Sequence, residues 1–229
     1  MNISTWIIER SSRFAIGVGC TLAVLALTLP THAQEFKPLF DGETLNGWSG
    51  DTELWSVQEG AIVGSTEEKQ IRRNSFLIAD GEYGDFTLKL KFKLRNHNSG
   101  VQFRSKQLDD FVVRGYQADI AESRYTGIIY SEGTGRGILA DVDPEKINEF
   151  YKLGEWNEYE ITARGNQLTL KLNGHVTVDF TDTDEEAAAS TGVIALQVHA
   201  GPNMRVEFKD IEIQELTAED RKTADGDKQ

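Results

Sequence analysis

Apolar and polar residues alternate one by one over several long stretches of the chain. From Phe86 to Leu94 every second residue is Phe or Leu, and the residues between them are Thr and Lys. A period of two describes a β-strand with one face against a core and the other in water. The same alternation runs from Leu168 to Leu172 and from Val176 to Phe180, on either side of Asn173-Gly174. Asn-Gly between alternating apolar residues predicts a tight hairpin.

Strand-like segments account for most of the remaining chain. Turns are predicted at Glu59-Gly60 and Gly165-Asn166, and no stretch keeps a helical period over three turns. Short helical turns are expected only at residues 144–151 and 182–190. About ten strands without intervening helices predict an all-β fold, an antiparallel jelly-roll sandwich of two curved sheets. Further strands are predicted near residues 54–64, 75–80, 98–105, 113–120, 157–164, 192–199 and 204–213.

Residues 1–33 have the pattern of an export signal. Arg10 and Arg13 precede an apolar run over residues 14–29, which ends in Pro30 and a small-residue site before Gln34. The expected result is an exported domain, periplasmic or extracellular, over residues 34–215, followed by a polar, disordered tail at 216–229. An uncleaved anchor is the alternative, although the run is shorter than the roughly 20 residues that a spanning helix needs.

Acidic residues outnumber basic ones, 37 against 24, and removal of residues 1–33 leaves a formal charge of −14 (22 basic minus 36 acidic). This charge argues against nucleic acid or an anionic membrane surface as a partner. The single cysteine, Cys20, lies inside the apolar run, so the exported chain has no disulfide and no cysteine ligand for zinc. No cofactor is predicted. The acidic run at residues 182–186 is expected to be a solvated loop, with a divalent cation such as calcium on its oxygens as the alternative.

Three of the predicted strands carry hydrogen-bonding side chains where a solvated face normally carries Lys, Glu and Thr. Each strand contributes two positions to one face. Amides, a carboxylate, a guanidinium and an imidazole are directional groups that suit the recognition of hydroxyl groups. If the three strands are neighbours in one sheet, the six side chains form a ligand face. They are Gln102 and Arg104, Gln117 and Asp119, and Gln197 and His199.

A glycine-rich loop is expected at the rim of that face. It covers residues 128–137 and carries Tyr130, Glu132 and Arg136. A phosphate-binding loop is disfavoured, because no strand–loop–helix context follows it. The tryptophans at positions 48, 55 and 156 are expected in the core rather than under a sugar ring.

Five segments, in order over residues 35–215, resemble the 3-keto-disaccharide hydrolase domain family. The resemblance implies a concanavalin A-like jelly roll exported by bacteria and acting on glycosides whose sugar is oxidised at C3. The segments are Phe36–Trp48 (FKPLFDGETLNGW), Asn98–Arg104 (NSGVQFR), Gly115–Ile120 (GYQADI), Gly154–Tyr159 (GEWNEY) and Gln197–Gly201 (QVHAG).

The chemistry of a 3-keto-glycoside defines the groups that such an enzyme needs. The ketone acidifies the proton on C2, so a base removes it, the C1 leaving group departs by elimination, and water adds to the enone. The resemblance thus implies His199 or Asp119 as the base, Arg104 as the cation that polarises the ketone, and Glu132 as the proton donor. Hydroxyl groups would be bound by Gln102, Gln117, Gln197, Tyr130 and Arg136.

Three other functions stay open at this point. A non-catalytic carbohydrate-binding domain would use the same polar face, and a passive envelope or scaffold protein would bind no ligand. The sequence of one predicted strand disfavours an ordinary endoglycosidase. Related jelly-roll endoglucanases carry a Glu-x-Asp-x-x-Glu run with the nucleophile first, and the nearest match here, residues 117–122 (QADIAE), begins with an amide.

Overall fold

The computed structural model describes residues 35–217, which form two antiparallel sheets. The first, sheet A, has eight strands: β1 (Lys37–Pro38), β3 (Trp55–Gln58), β4 (Ala61–Ser65), β6 (Phe86–Asn96), β11 (Asn157–Arg164), β12 (Gln167–Leu172), β13 (His175–Thr181) and β15 (Arg205–Glu215). Their spatial order is β13-β12-β11-β6-β15-β4-β3, with β1 also paired to β15.

The second, sheet B, has seven strands: β2 (Trp48–Ser49), β5 (Ser75–Ala79), β7 (Asn98–Gln107), β8 (Val113–Ala121), β9 (Ile129–Glu132), β10 (Gly137–Ala140) and β14 (Val193–Val198). Their spatial order is β10-β9-β8-β7-β14-β5-β2. Strands that are distant along the chain therefore lie side by side, as in β14 beside β7. The predicted all-β jelly-roll sandwich is confirmed.

Helical structure is limited to one short element within residues 35–217. Helix α1 covers Pro144–Asn148, and the Asp143 side chain caps it by accepting from the Glu145 backbone N–H. The helical turn expected at residues 182–190 is a single turn, closed by the Ala188 N–H on the Asp184 carbonyl. No helix in the described part of the chain has the length and apolar character needed to span a membrane.

The core lies between the two sheets and follows the period of two. In β6, Phe86, Leu88 and Phe92 are fully buried, whereas the lysines between them remain partly exposed. Burial of such side chains drives the two sheets together. Two of the three tryptophans join the core as expected. Trp156 does not, because it lies on the outer face of sheet A, where the Lys93 and Lys209 ammonium groups approach its ring at 4.9 and 4.2 Å.

The predicted hairpin turn forms as the Asn-Gly signal requires. Asn173 and Gly174 take φ values of 49° and 82°, and they join β12 to β13. Positive φ at two consecutive residues matches the twist of the flanking strands, which is why Asn and Gly occupy these positions. The turn at Glu59-Gly60 has the same character, with φ values of 51° and 76°.

Strand β7 bends sharply where it reaches Arg104. This residue takes a left-handed φ of 45°, and the register with β8 shifts between Phe103 and Lys106. A β-bulge of this kind adds a residue to one strand, bends it and redirects the side chains beyond it. The bend therefore ends the simple alternation that the sequence suggests for this strand.

Beyond the bend, residues 107–113 (the hairpin tip) reach β5, which is not a neighbour of β8 in the sheet. The Phe76 N–H donates to the Phe111 carbonyl at 2.9 Å, and Arg73 pairs with Asp110 at 2.6 Å. Val113 packs with Phe76 in a small apolar cluster separate from the main core. The hairpin tip thus covers part of the outer face of sheet B.

The described residues do not include the predicted export signal. Residues 1–33 and nearly all of the predicted tail at 216–229 lie outside them. Both remain predictions from the sequence.

Candidate functional site

The three strands that carry the polar side chains are neighbours in sheet B, in the order β8-β7-β14. Gln102 lies directly opposite Gln117 on β8, and on its other side it faces Ala195 of β14. Asp119 in β8 and Gln197 in β14 lie on the same face of sheet B as Gln102 and Gln117. The residues next to each of them in its own strand face the core. We refer to Gln102, Gln117, Asp119, Gln197 and His199 as the polar cluster.

The polar cluster is largely shielded from water. Gln102 and Gln197 are 0% exposed and Asp119 is 5% exposed. His199 lies just after the end of β14 and is half-buried. Tyr130 and Glu132 are also half-buried. Buried polar groups of this kind require partners, because an unpaired one carries a desolvation cost.

A chain of side-chain hydrogen bonds ends on Asp119. The Ser105 hydroxyl donates to Gln102 Oε1 at 2.6 Å, Gln102 Nε2 donates to Gln117 Oε1 at 2.7 Å, and Gln117 Nε2 donates to Asp119 Oδ1. We refer to this series as the amide chain. Gly100 leaves room for it, since a Cβ at that position would lie 2.5 Å from the Gln117 amide carbon.

Asp119 holds its proton far more tightly than an ordinary aspartate. Burial raises the pKa of Asp119 to about 7, because the charged form loses its hydration. The hydrogen bond from Gln117 acts in the opposite direction, and the negative charge of Glu132 raises the pKa further. Asp119 therefore exchanges a proton near neutral pH, which suits a general acid or base.

His199 is held as a neutral imidazole. Its Nδ1 lies 2.6 Å from the Ala200 carbonyl oxygen, and a carbonyl can only accept, so Nδ1 carries the hydrogen and Nε2 the lone pair. Burial lowers the pKa of His199, and the nearby His97 lowers it further. The two imidazole rings are perpendicular, with centroids 4.9 Å apart. His199 Nε2 is therefore a proton acceptor at neutral pH.

Tyr130 and Glu132 lie on strand β9, not on the loop that the sequence suggested. Tyr130 is opposite Gln117 in the pairing of β9 with β8. Asn74 donates from Nδ2 to Glu132 Oε1 at 3.0 Å and accepts from the Ala200 N–H at 2.9 Å. Asn74 thus ties Glu132 to the segment that carries His199. The Glu132 charge also favours the protonated form of His199.

Gln197 is the least satisfied member of the polar cluster. Neither its Oε1 nor its Nε2 has a hydrogen-bond partner among the described residues, although the side chain is fully buried. A buried amide without partners costs about 1–3 kcal/mol. A position that keeps such a group fits a ligand-binding role, since a bound hydroxyl or carbonyl would satisfy it.

Arg104 is not part of the polar cluster, and the expectation that it shares a face with Gln102 is wrong. The bulge turns its guanidinium toward the edge of sheet A, where it pairs with Asp85 at 2.7 Å and donates to the Gly84 carbonyl at 2.7 Å. Both partners lie immediately before β6. The Arg104 guanidinium therefore links sheet B to sheet A, and these contacts engage its donor groups.

Arg136 is likewise engaged in a structural ion pair. Its two terminal nitrogens donate to the Asp182 carboxylate at 2.8 and 2.9 Å, in the bidentate geometry typical of strong arginine pairs. This pairing holds the pKa of Asp182 down at about 2. Asp182 is buried, which corrects the expectation of a wholly solvated acidic loop at residues 182–186. Within residues 35–217 no group of three or more His, Cys, Asp or Glu residues is placed to hold a metal.

Sequence reasoning missed three residues that shape the site: Ser105, Asn74 and Gly100. Ser105 begins the amide chain and Gly100 makes space for it, yet both read as ordinary strand residues. The alternation does place Gly100 on the same face as Gln102. A glycine inside a strand is a known sign of close approach by other atoms, and this signal was available.

A comparison with protein families decides the classification. The model of the 3-keto-alpha-glucoside-1,2-lyase-like domain matches residues 35–214. The chain belongs to this family. Membership in the 3-keto-alpha-glucoside-1,2-lyase-like domain family confirms the resemblance seen in the sequence and makes the chain a carbohydrate-active protein. Among curated proteins, none matches the chain.

Solved structures share the fold at low sequence identity. Two putative glycosyl hydrolases from Parabacteroides distasonis ATCC 8503 are 19% and 22% identical, with TM-scores of 0.59 and 0.58; each match covers 80% of this chain and 94% or 100% of the other. The carbohydrate binding module CBM66 from Bacillus subtilis is 17% identical with a TM-score of 0.55, over 73% of this chain and 95% of the module. The architecture thus occurs in proteins described as hydrolases and in a binding module.

Proposed function

We propose that this protein cleaves 3-keto-glycosides by 1,2-elimination, followed by addition of water. The observation that carries the proposal is the combination of three groups on one face of sheet B: a carboxyl with a pKa of about 7, a neutral imidazole and an unpartnered amide. The description of the family names the same substrate class and the same bond.

Asp119 is the base that we place at C2. Its pKa of about 7 makes it a much stronger base than an ordinary carboxylate, while a substantial fraction remains ionised at neutral pH. Removal of the C2 proton leaves its electron pair to delocalise onto the C3 oxygen as an enolate. The C3 ketone makes this step feasible without the paired carboxylates of ordinary glycosidases.

Gln197 takes the role that the sequence assigned to Arg104. Its Nε2 has no partner among the described residues and donates to the C3 oxygen as negative charge develops there. A preorganised donor in a water-poor site stabilises such charge more than a solvated one does. Gln102 and Gln117, whose oxygens and nitrogens already bond within the amide chain, support Asp119 instead of contacting the sugar.

The leaving oxygen takes its proton from Asp119, which has just received it from C2. As the enolate collapses to a C1–C2 double bond, the C1–O bond breaks and the departing oxygen accepts that proton. Glu132, whose negative charge acts on Asp119 and whose Oε1 accepts from Asn74, serves the second half of the reaction. Water adds at C1, Glu132 accepts a proton from that water and donates it to C2. The sum is hydrolysis of the glycosidic bond.

His199 is the second group able to accept a proton in this site. Its Nε2 lone pair is available at neutral pH, and its position after β14 brings it to the same side as Glu132. If His199 rather than Asp119 takes the C2 proton, His199→Ala loses activity at least about a hundredfold and Asp119→Asn retains most of it. We expect the reverse result.

The proposal is tested by offering the purified protein one disaccharide and its C3-oxidised form in parallel. Release of monosaccharide is measured for both, with and without a chelator. Cleavage of the oxidised form alone is the expected result, and Asp119→Asn serves as the inactive control. Cleavage of the unoxidised sugar at a similar rate, or of neither sugar, would contradict the proposal.

A second candidate function is carbohydrate binding without catalysis. The shared fold with a carbohydrate binding module and the buried, unpartnered amide of Gln197 favour it. Calorimetric titration with neutral oligosaccharides separates the two functions. Tight binding without release of sugar from any oxidised substrate would establish the binding module.

A further inference from the structure

Ser105 has no place in the chemistry above, yet it is buried and its hydroxyl forms the first hydrogen bond of the amide chain. It lies beyond the bulge of β7, 3% exposed, and two amide groups separate it from Asp119. Its side chain packs against Gly115, where a Cβ would lie 2.6 Å from the Ser105 oxygen.

The hydrogen bonds of the amide chain all run in one direction. Each amide accepts at its oxygen from the Ser105 side and donates from its nitrogen toward Asp119. The last bond therefore delivers an N–H to Asp119 Oδ1, which stabilises the carboxylate. If both amides turned over, Gln117 would present its oxygen to Asp119 instead and would stabilise the protonated acid.

Ser105 decides between these two directions. Its oxygen lies 2.6 Å from Gln102 Oε1 but 3.0 Å from the Phe103 carbonyl and 3.1 Å from the Tyr116 carbonyl. A hydroxyl has one hydrogen, so it can donate to only one of these oxygens. The shortest contact is to Gln102, and donation there sets the direction of every amide that follows.

We propose that Ser105 is a positioning residue that acts through Gln102 and Gln117 to keep Asp119 able to accept a proton. The inference deepens the proposed function and rests on Asp119 being its base. Because Oδ1 receives the bond from Gln117, the proton taken from the substrate goes to Oδ2. Without the amide chain, burial and the Glu132 charge act on Asp119 unopposed by any hydrogen bond that the structure records to its carboxylate.

The surroundings of Asp119 leave little else to set its protonation within the described residues. The negative charge of Glu132 on β9 raises the pKa of Asp119. On the core side, the Tyr159 hydroxyl from β11 donates to the Asp119 backbone carbonyl, not to its carboxylate. No cation is among the causes of the Asp119 shift. Gln117 is thus the one group recorded there that favours ionisation.

The test compares Ser105→Ala with Gln102→Met, which breaks the amide chain at its second member while keeping side-chain length. Ser131→Ala is the matched control, since Ser131 is a buried serine of the same sheet whose hydroxyl pairs with Thr134 instead. The pKa of Asp119 is measured by carboxyl ¹³C NMR titration, with the resonance assigned from its absence in Asp119→Asn. The pH profile of kcat/KM for the keto-glycoside is recorded in parallel.

We expect the Asp119 pKa to rise by about half a unit or more in both chain variants, and the acidic limb of the kcat/KM profile to move with it. Ser131→Ala should leave both unchanged. An unchanged Asp119 pKa in Ser105→Ala and Gln102→Met would overturn the inference. If the Asp119 pKa rises in the variants but the protein cleaves no keto-glycoside, the role of the amide chain is supported and the proposed function is refuted. The two failures are therefore distinguishable.

Discussion

The outer faces of the two sheets share a period of two in the sequence and differ in burial in the folded protein. On sheet A, lysines alternate with core residues and pair with acids on neighbouring strands, as in Lys91 with Asp210 at 2.9 Å and Lys93 with Glu207 at 2.8 Å. These side chains remain partly exposed. On sheet B, the corresponding positions carry Gln102, Gln117 and Asp119, all nearly or fully buried.

The difference shows that two properties decide how a sheet face behaves: the types of residue on it, and whether other parts of the chain shield it from water. The period of two is the same on both faces. Lysine and glutamate tolerate an open face because water solvates them, and pairs between them contribute little to stability. Glutamine and aspartate on the buried face of sheet B lose that water, so their hydrogen bonds and charges respond strongly to one another. A covered face can therefore perform proton transfer, whereas an open one serves mainly solubility.

The largest expected effect is a loss of activity on substitution in the outer face of sheet B, with no loss on substitution in the outer face of sheet A. Asp119→Asn should lower keto-glycoside turnover by about 10²–10⁴-fold, because it removes the base. Asp210→Asn, on the outer face of sheet A, is the control and should retain the full rate. Equal losses in the two variants, or none in Asp119→Asn, would remove Asp119 from the mechanism.

The next comparison concerns buried and exposed ion pairs. Arg104→Met leaves Asp85 buried at the junction of the sheets, and we expect the free energy of unfolding to fall by about 3–5 kcal/mol. Lys91→Met breaks an exposed pair and should cost less than about 1 kcal/mol. Denaturant unfolding of both variants measures this. A small loss in Arg104→Met would mean that the guanidinium does not join the two sheets.

Gln197→Met should lower activity without lowering stability. Replacing an unpartnered buried amide by an apolar side chain of similar size should leave stability unchanged or increase it by about 1 kcal/mol. Turnover should fall by about a hundredfold, since the donor to the C3 oxygen is lost. Gln167→Met on sheet A is the control and should affect turnover little. Full activity in Gln197→Met would exclude the amide from the reaction.

The last comparison concerns how stability depends on pH. Asp119 has a pKa of about 7 when folded and about 3.9 when unfolded. Between these values the unfolded chain releases the proton and the folded chain keeps it, so the free energy of unfolding falls as pH rises from about 4 to about 7. In Asp119→Asn this fall should be reduced. Chemical denaturation at several pH values measures it, with Asp210→Asn retaining the wild-type slope.

Much of the fold was predictable because strands leave a strong local pattern. The alternation at Phe86–Leu94 became β6, and Asn173-Gly174 became the turn between β12 and β13. The shortest strands, such as β1 and β2 with two residues each, carried no readable period. Strand β9 was missed for a related reason, since it has four residues beside a glycine-rich turn.

The sequence by itself determined the all-β class, the hairpin and the residue types of the polar face, because period and turn chemistry are local properties. Only the tertiary structure decided which residues work together. The β7 bulge took Arg104 out of the face, and pairing of distant strands brought Gln197 beside the amide chain. Burial, which raises the pKa of Asp119 and isolates Gln197, depends on what covers a residue from elsewhere in the chain. A local sequence pattern does not show which distant segments will shield a residue from water.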